Sequence, residues 1–120
     1  MPQNKLSLYA EFSSEGTIAK PSILFPKTAE AFLEKGKQIM EQRGKENGYD
    51  FNKERSFKKT SEAFNAITGK GITPAEVCLL LAIVKDVRQW QQPRYHQDSA
   101  EDAVNYHALK AEELVKQYNG

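Results

Sequence analysis

Apolar residues recur at helical spacing through most of the chain, beginning at Lys27. Residues three, four and seven positions apart share one face of an α-helix, so this period predicts amphipathic helices. Four such segments cover residues 27–48, 52–69, 73–91 and 98–119. The pattern therefore predicts an all-α fold: a four-helix bundle-like single domain with an extended N-terminal arm.

The third segment has the clearest helical pattern. Thr73, Pro74 and Glu76 form a helix start, because the threonine and glutamate make a capping box around a proline suited to the first turn. Residues 77–84 are apolar on nearly all sides, which predicts a central, buried helix. The expected core positions on it are Val77, Leu80, Leu81 and Val84.

The ends of the other helices carry their own signals. Thr28 is the predicted N-cap of the first helix, and Gly48 its predicted stop. Gly69 is the predicted stop of the second helix, since glycine readily adopts the left-handed conformation that ends many helices. Asp98 or Ser99 is the predicted cap of the last helix.

The first 26 residues have a different pattern of apolar and polar positions from the rest of the chain. The stretch KLSLYAEF alternates apolar and polar residues, which is a strand-like period, while Pro21 and Pro26 interrupt regular pairing. This pattern predicts a frail hairpin or an extended arm over residues 1–26, followed by a helical domain over residues 27–120. The apolar residues of the arm need an apolar surface, either on the same chain or on a neighbouring subunit.

Composition narrows the class of protein. The chain has 120 residues, of which 39% are hydrophobic and 28% charged, as in a single folded domain. Its net charge of +1 and the dilution of the basic stretch KERSFKK by nearby glutamates argue against a nucleic-acid or membrane partner. The single cysteine, Cys78, cannot form an internal disulfide. We therefore expect a reducing, cytoplasmic location, with Cys78 as a small buried hydrophobe.

The sequence contains no familiar catalytic motif. His96 and His107 are the two histidines, and neither has a cysteine or histidine partner at zinc-ligand spacing. No glycine-rich phosphate loop, dinucleotide fingerprint or nucleophilic serine motif occurs. A zinc site is therefore not expected.

A polar cluster is expected where the third and fourth helices meet. Lys85 and Arg88 lie three residues apart on one helix face, and Asp98 and Asp102 lie four apart near the start of the next helix. The short loop QQPRYH makes these helices antiparallel neighbours, which brings the two cations near the two carboxylates. The carboxylates also gain from the positive end of their own helix.

This cluster has two interpretations. One is a structural set of ion pairs that ties two helices together. The other is a polar pocket for an anionic ligand, in which phosphate oxygens face Lys85 and Arg88. A divalent metal ion, with magnesium as the candidate, would then lie on Asp98 and Asp102, because hard cations prefer carboxylate oxygens.

Two stretches, GITPAEVCLLLAIVKDVRQW and YHQDSAEDAVNYHAL, carry a family resemblance. The chain resembles a small all-helical family encoded mainly by phages and prophages, without assigned biochemistry, over roughly residues 30–115. Lys85 and Arg88 match the K-x-x-R pair of that family. Its final motif, H-x-D-S-x-x-D-x-x-x-Y, is matched by His96, Asp98, Ser99, Asp102 and Tyr106. The candidate ligand-binding residues are therefore Lys85, Arg88, His96, Asp98, Asp102 and Tyr106.

The same helical skeleton is similar to the phage nucleotide-modification-associated domain, and more distantly to the MazG-like all-α nucleoside triphosphate pyrophosphohydrolases. Those hydrolases hold magnesium with an E-x-x-E pair and an E-x-x-D pair on two helices. In this chain Glu30 and Glu34 are four apart, as are Asp98 and Asp102. This departure argues against a MazG-type site but is compatible with a nucleotide pocket in a related bundle.

Two classes of function follow. The first is a phage- or prophage-type accessory protein whose interhelical pocket binds a nucleotide or another phosphorylated small molecule, with catalysis left open. The second is a non-enzymatic protein that binds a host protein or forms a homo-oligomer, with a purely structural charge cluster. The sequence does not specify the ligand, the host partner or the number of subunits.

Overall fold

The computed structural model describes residues 24–46 and 56–119. Within these ranges the chain forms four α-helices and no strand, which confirms the predicted all-α fold. Helix α1 covers Ala29–Glu46, α2 covers Phe57–Thr68, α3 covers Pro74–Trp90 and α4 covers Gln97–Asn119. None of these helices combines the length and apolar character needed to cross a lipid bilayer. Most of the predicted arm and the predicted stop at Gly48 lie outside the described residues.

Local side-chain chemistry defines three of the helix ends as predicted. Thr28 Oγ1 accepts a hydrogen bond from the backbone N–H of Ala31 at 3.1 Å, so it caps the start of α1. At the start of α3, Thr73 Oγ1 accepts from Glu76 N at 3.2 Å while Glu76 Oε1 accepts from Thr73 N at 2.8 Å. Gly69 ends α2 in the left-handed region, with φ of 74°.

The helices pack as a row in the order α1, α4, α3 and α2. The most extensive contact joins α3 and α4, which the short connection between residues 90 and 97 makes antiparallel neighbours. Helix α2 packs on α3, and α1 packs on α4, and no other helix pair is in contact within the described residues. Each of the two central helices therefore contacts two of the other described helices.

Small side chains fill the contact between the two central helices. The buried apolar residues of the described chain are Ala75, Val77, Cys78, Ala82 and Ala103. Cys78 and Ala82 have no exposed surface, so the expectation that Cys78 is a small buried hydrophobe is confirmed. Small residues let helix axes approach closely, and their packing holds α3 against α4.

The prediction of which α3 residues are buried is correct in part. Val77 is buried, whereas Leu81 is half-buried and Leu80 and Val84 remain 50% and 44% exposed. The prediction for Leu80 and Val84 is wrong because this helix is apolar on nearly all sides, so periodicity alone does not identify the face that packs. The neighbouring helices select the face with the smallest residues.

A glycine permits the contact between α1 and α4. Gly36 is buried on α1, and a methyl group added there would overlap the side-chain oxygen of Asn105 on α4. The absence of a side chain at this position allows the two helices to approach. This contact positions α1 beside the beginning of α4.

Candidate functional site

A polar cavity of about 460 Å³ lies where α1, α3 and α4 meet. Four cationic side chains line it: Lys35, Arg43, Lys85 and Arg88. Three carboxylates line it as well: Asp98, Glu101 and Asp102. The volume is within the range of about 300 to 1,000 Å³ typical of small-molecule pockets. The excess of cationic over acidic side chains favours an anion as its occupant.

The contact between α3 and α4 provides one ion pair of this cavity. Lys85 Nζ lies 3.0 Å from Asp102 Oδ2, and the two side chains are 18% and 32% exposed. Arg88 and Asp98 are exposed and line the same cavity. The structure thus brings together the four charged residues that the short interhelical loop predicted to be neighbours. Their role in binding a ligand stays a prediction.

The contact between α1 and α4 provides a second ion pair, which the sequence analysis missed. Lys35 Nζ lies 2.7 Å from Glu101 Oε2, and the side chains are only 19% and 9% exposed. Gln97 Nε2 donates to the same carboxylate oxygen at 2.6 Å. The signal for this side of the cavity was the spacing of Lys35, Ile39 and Arg43, which places them four residues apart on one face of α1.

Lys35 and Gln97 also bind the backbone just before α1. Lys35 Nζ donates to the carbonyl oxygen of Leu24 at 2.8 Å, and Gln97 Nε2 donates to it at 3.2 Å. Pro26, two residues after Leu24, is buried. The described end of the arm is therefore attached to the edge of the cavity.

Tyr95 lies within electrostatic reach of this pair. Partial burial, and then the negative charge of Glu101, raise the pKa of Tyr95 above its ordinary value of 10.0. The phenol therefore stays neutral at physiological pH and remains able to donate a hydrogen bond.

His96 has a structural role at the start of α4. Its Nδ1 accepts from the backbone N–H of Ser99 at 3.3 Å and lies 2.6 Å from the Ser99 hydroxyl. Because Nδ1 accepts, the ring proton is on Nε2. The predicted cap at Asp98 or Ser99 is wrong, because α4 begins at Gln97 and the imidazole of the preceding residue takes the capping position. Gln89 Oε1 accepts from His96 N at 2.8 Å and fixes the loop.

We expect His96→Ala to lower the free energy of unfolding by about 1 kcal/mol, because the backbone N–H at the third position of α4 loses its acceptor. His96→Asn should retain most of the stability, since asparagine is a strong N-cap residue. Chemical denaturation of the ligand-free protein measures both. His107→Ala, an exposed change on the same helix, is the control. Equal losses for alanine and asparagine at position 96 would contradict the capping role.

The geometry gives less support to the ligand-binding role predicted for Tyr106 and to the metal site predicted on Asp98 and Asp102. Tyr106 is half-buried and is not among the residues that line this cavity. The described part of the chain has no group of three or more histidine, cysteine, aspartate or glutamate side chains that could hold a metal ion. Asp102 already pairs with Lys85. A magnesium ion on Asp98 and Asp102 would therefore depend on oxygens from the ligand or water to complete its coordination.

Comparison with known protein families gives a match over most of the chain. A family model described as Domain of unknown function (DUF6378) matches residues 31–114. No curated protein and no solved structure matches the chain. All the residues that line the cavity, from Lys35 to Asp102, lie within the matched range.

Proposed function

Since the chain belongs to the family described as a domain of unknown function (DUF6378), we propose a function from the site itself: the cavity between α1, α3 and α4 binds a phosphorylated small molecule. The guanidinium group of Arg88 is the observation that carries the proposal. It is exposed at the cavity, and within residues 24–46 and 56–119 no acidic side chain forms an ion pair with it. A planar guanidinium matches two phosphate oxygens at once.

Lys85 supports the same ligand from the preceding turn of α3. Its ammonium group lies 3.0 Å from Asp102, and an ammonium group has three donors. Lys85 can therefore keep its carboxylate partner while it donates to a phosphate oxygen. Because Lys85 and Arg88 are three residues apart on one helix, both heads can reach one phosphoryl group.

Nucleotides are the first ligands to test. The similarity of the helical skeleton to the phage nucleotide-modification-associated domain supports this choice, and a role as a phage- or prophage-type accessory protein goes with it. Ile39 is the large apolar side chain on the cavity lining. The phosphoryl group, rather than stacking of the base, therefore provides most of the recognition.

A divalent cation forms a second part of the proposal. Asp98 is exposed at the cavity beside Asp102. These two carboxylates would hold a magnesium ion, which would supply positive charge that favours a phosphorylated ligand. Asp102→Asn should remove the magnesium-dependent part of ligand binding and leave the magnesium-independent part with Arg88. Thermal shift assays with and without magnesium distinguish the two parts.

The main prediction is that Arg88→Gln weakens binding of a phosphorylated ligand about 10- to 100-fold, because a charged hydrogen-bond donor is worth roughly 1.5 to 3 kcal/mol. Stability of the ligand-free protein should change by less than about 0.5 kcal/mol, since the side chain is exposed. Isothermal titration calorimetry with inorganic phosphate and with nucleoside mono-, di- and triphosphates measures the affinity.

Lys59→Gln is the matched control, because it also removes one positive charge from an exposed helix position but lies on α2, away from the cavity. Its affinity should equal that of the wild-type protein. The proposal fails if no phosphorylated compound binds the wild-type chain, or if Lys59→Gln and Arg88→Gln weaken binding equally. The latter result would indicate attraction by net charge alone.

The second candidate is a non-enzymatic interaction protein with a purely structural charge cluster. The observation in its favour is that two of the three carboxylates on the cavity, Glu101 and Asp102, already have lysine partners. For this candidate, Asp102→Asn should change only the stability of the protein. The loss should be about 1 kcal/mol or less, because Asp102 is partly exposed.

A further inference from the structure

Helix α3 has a broad apolar face that stays partly exposed. Six large apolar side chains are between 38% and 86% exposed there: Leu79, Leu80, Ile83, Val84, Val87 and Trp90. Their positions fall within one side of the helix, whereas Cys78, Ala82 and Lys85 point toward α4. Leu79 lies at the edge of this face, where it borders a groove lined by Lys110 and Leu114 of α4. Such a surface marks an interaction site rather than a solvated helix face.

The spacing on this face is that of a helix that packs against another helix. Leu80, Ile83, Val87 and Trp90 are separated by three, four and three residues along α3. This is the heptad spacing of a coiled-coil seam. The steps of three, four and three read the same in both directions. A seam with this symmetry can pair with an antiparallel copy of itself.

We propose that this face of α3 binds the α3 face of a second copy of the chain, as an antiparallel helix pair about a two-fold axis beside residue 85. Ile83 then lies opposite the partner's Val87, and Leu80 lies opposite the partner's Trp90. Glu76 is already held in the capping box with Thr73 at the start of α3, so apolar contacts between the two seams provide the pairing.

The area of the face fits a dimer. At their observed exposures the six side chains present roughly 600 Å² of surface, close to the approximately 800 Å² that each partner buries in a standard protein interface. Polar residues, including Asp86 and Gln91, lie at its margins and provide a rim. This inference is independent of the ligand proposed for the cavity, because Arg88 and Lys85 lie outside the seam.

The first test is the mass of the full-length chain in solution. Light scattering at tens of micromolar should give twice the mass of the 13.6 kDa chain. Val87→Glu places a charge at the centre of the seam and should raise the dimer dissociation constant at least tenfold. Leu33→Glu, an equally exposed apolar position on α1, should leave the dimer unchanged.

The second test uses cysteine cross-linking and reports on direction and register. Chains with Ile83→Cys and chains with Val87→Cys should each fail to cross-link alone under mild oxidation, and should form a disulfide-linked dimer when mixed. The buried Cys78 is common to all these chains and to the wild-type control. Cross-linking of Ile83→Cys with itself would overturn the antiparallel arrangement. Two results would overturn the proposal. One is a monomeric wild-type chain, as when its own residues 1–23 cover the face. The other is a dimer that is insensitive to Val87→Glu.

Discussion

Lys35→Met should lower the free energy of unfolding by about 3 kcal/mol. The lysine ammonium group is 2.7 Å from Glu101 Oε2, and both side chains are largely shielded from water. Methionine keeps much of the aliphatic volume but leaves the carboxylate without its cation, and an unpaired buried charge costs several kcal/mol. The loss should stay at the lower end of that range, because Gln97 Nε2 still donates to Glu101.

A double variant identifies the unpaired charge as the cause. The double variant Lys35→Met/Glu101→Gln should be more stable than Lys35→Met at neutral pH, because it removes the stranded charge.

Lys37→Met is the control for this prediction, since it changes an exposed lysine two residues along the same helix. Its free energy of unfolding should be within about 0.5 kcal/mol of wild type. Chemical denaturation gives all four values. If Lys35→Met and Lys37→Met destabilise the protein equally, solvent screens the Lys35–Glu101 pair and it does not hold α1 on α4.

The helices were predictable because their signals are local. Thr28, Thr73 and Gly69 each act within four residues of their own position, through a side-chain acceptor or a left-handed backbone. The start of α4 was missed by one to two residues for a related reason: an imidazole replaced the expected aspartate or serine as the cap. Histidine is an uncommon capping residue, so the usual preference favoured its neighbours.

The packing of α3 was not predictable from its own residues. Leu80 and Ala82 are both apolar and lie on different sides of the helix, and only the position of α4 decides which one is buried. Hydrophobicity alone would predict that the larger residue, Leu80, is the buried one. In the structure the smaller residue packs against α4, because it allows the axes to approach.

The candidate site was predictable on one side only. Lys85 and Asp102 belong to consecutive helices joined by a short loop, so their proximity follows from the connection. Lys35 and Glu101 are 66 positions apart, and their contact depends on how α1 packs on α4. The sequence shows that Lys35 shares a helix face with Arg43, but it does not show that this face meets the start of α4.

Ala82→Leu should lower the free energy of unfolding by about 2 to 3 kcal/mol. Ala82 has no exposed surface, and Lys85 on the next turn pairs with Asp102, so this face of α3 is packed against α4. A leucine side chain adds three carbon atoms to a filled space, which forces the helix axes apart or distorts its rotamer. Alanine and leucine have similar helix propensities, so the effect of the change arises from packing rather than from the backbone.

The same substitution at an exposed site gives the matched control. Ala111 is exposed on α4, and Ala111→Leu should change the free energy of unfolding by less than about 0.5 kcal/mol. Because α3 and α4 frame the cavity, Ala82→Leu should also separate Lys85 from Asp102 and weaken binding of a phosphorylated ligand. Chemical denaturation measures the stability of both variants. A loss for Ala82→Leu as small as that for Ala111→Leu would show that the contact between α3 and α4 is loose, and that their small residues do not determine how closely the helices approach.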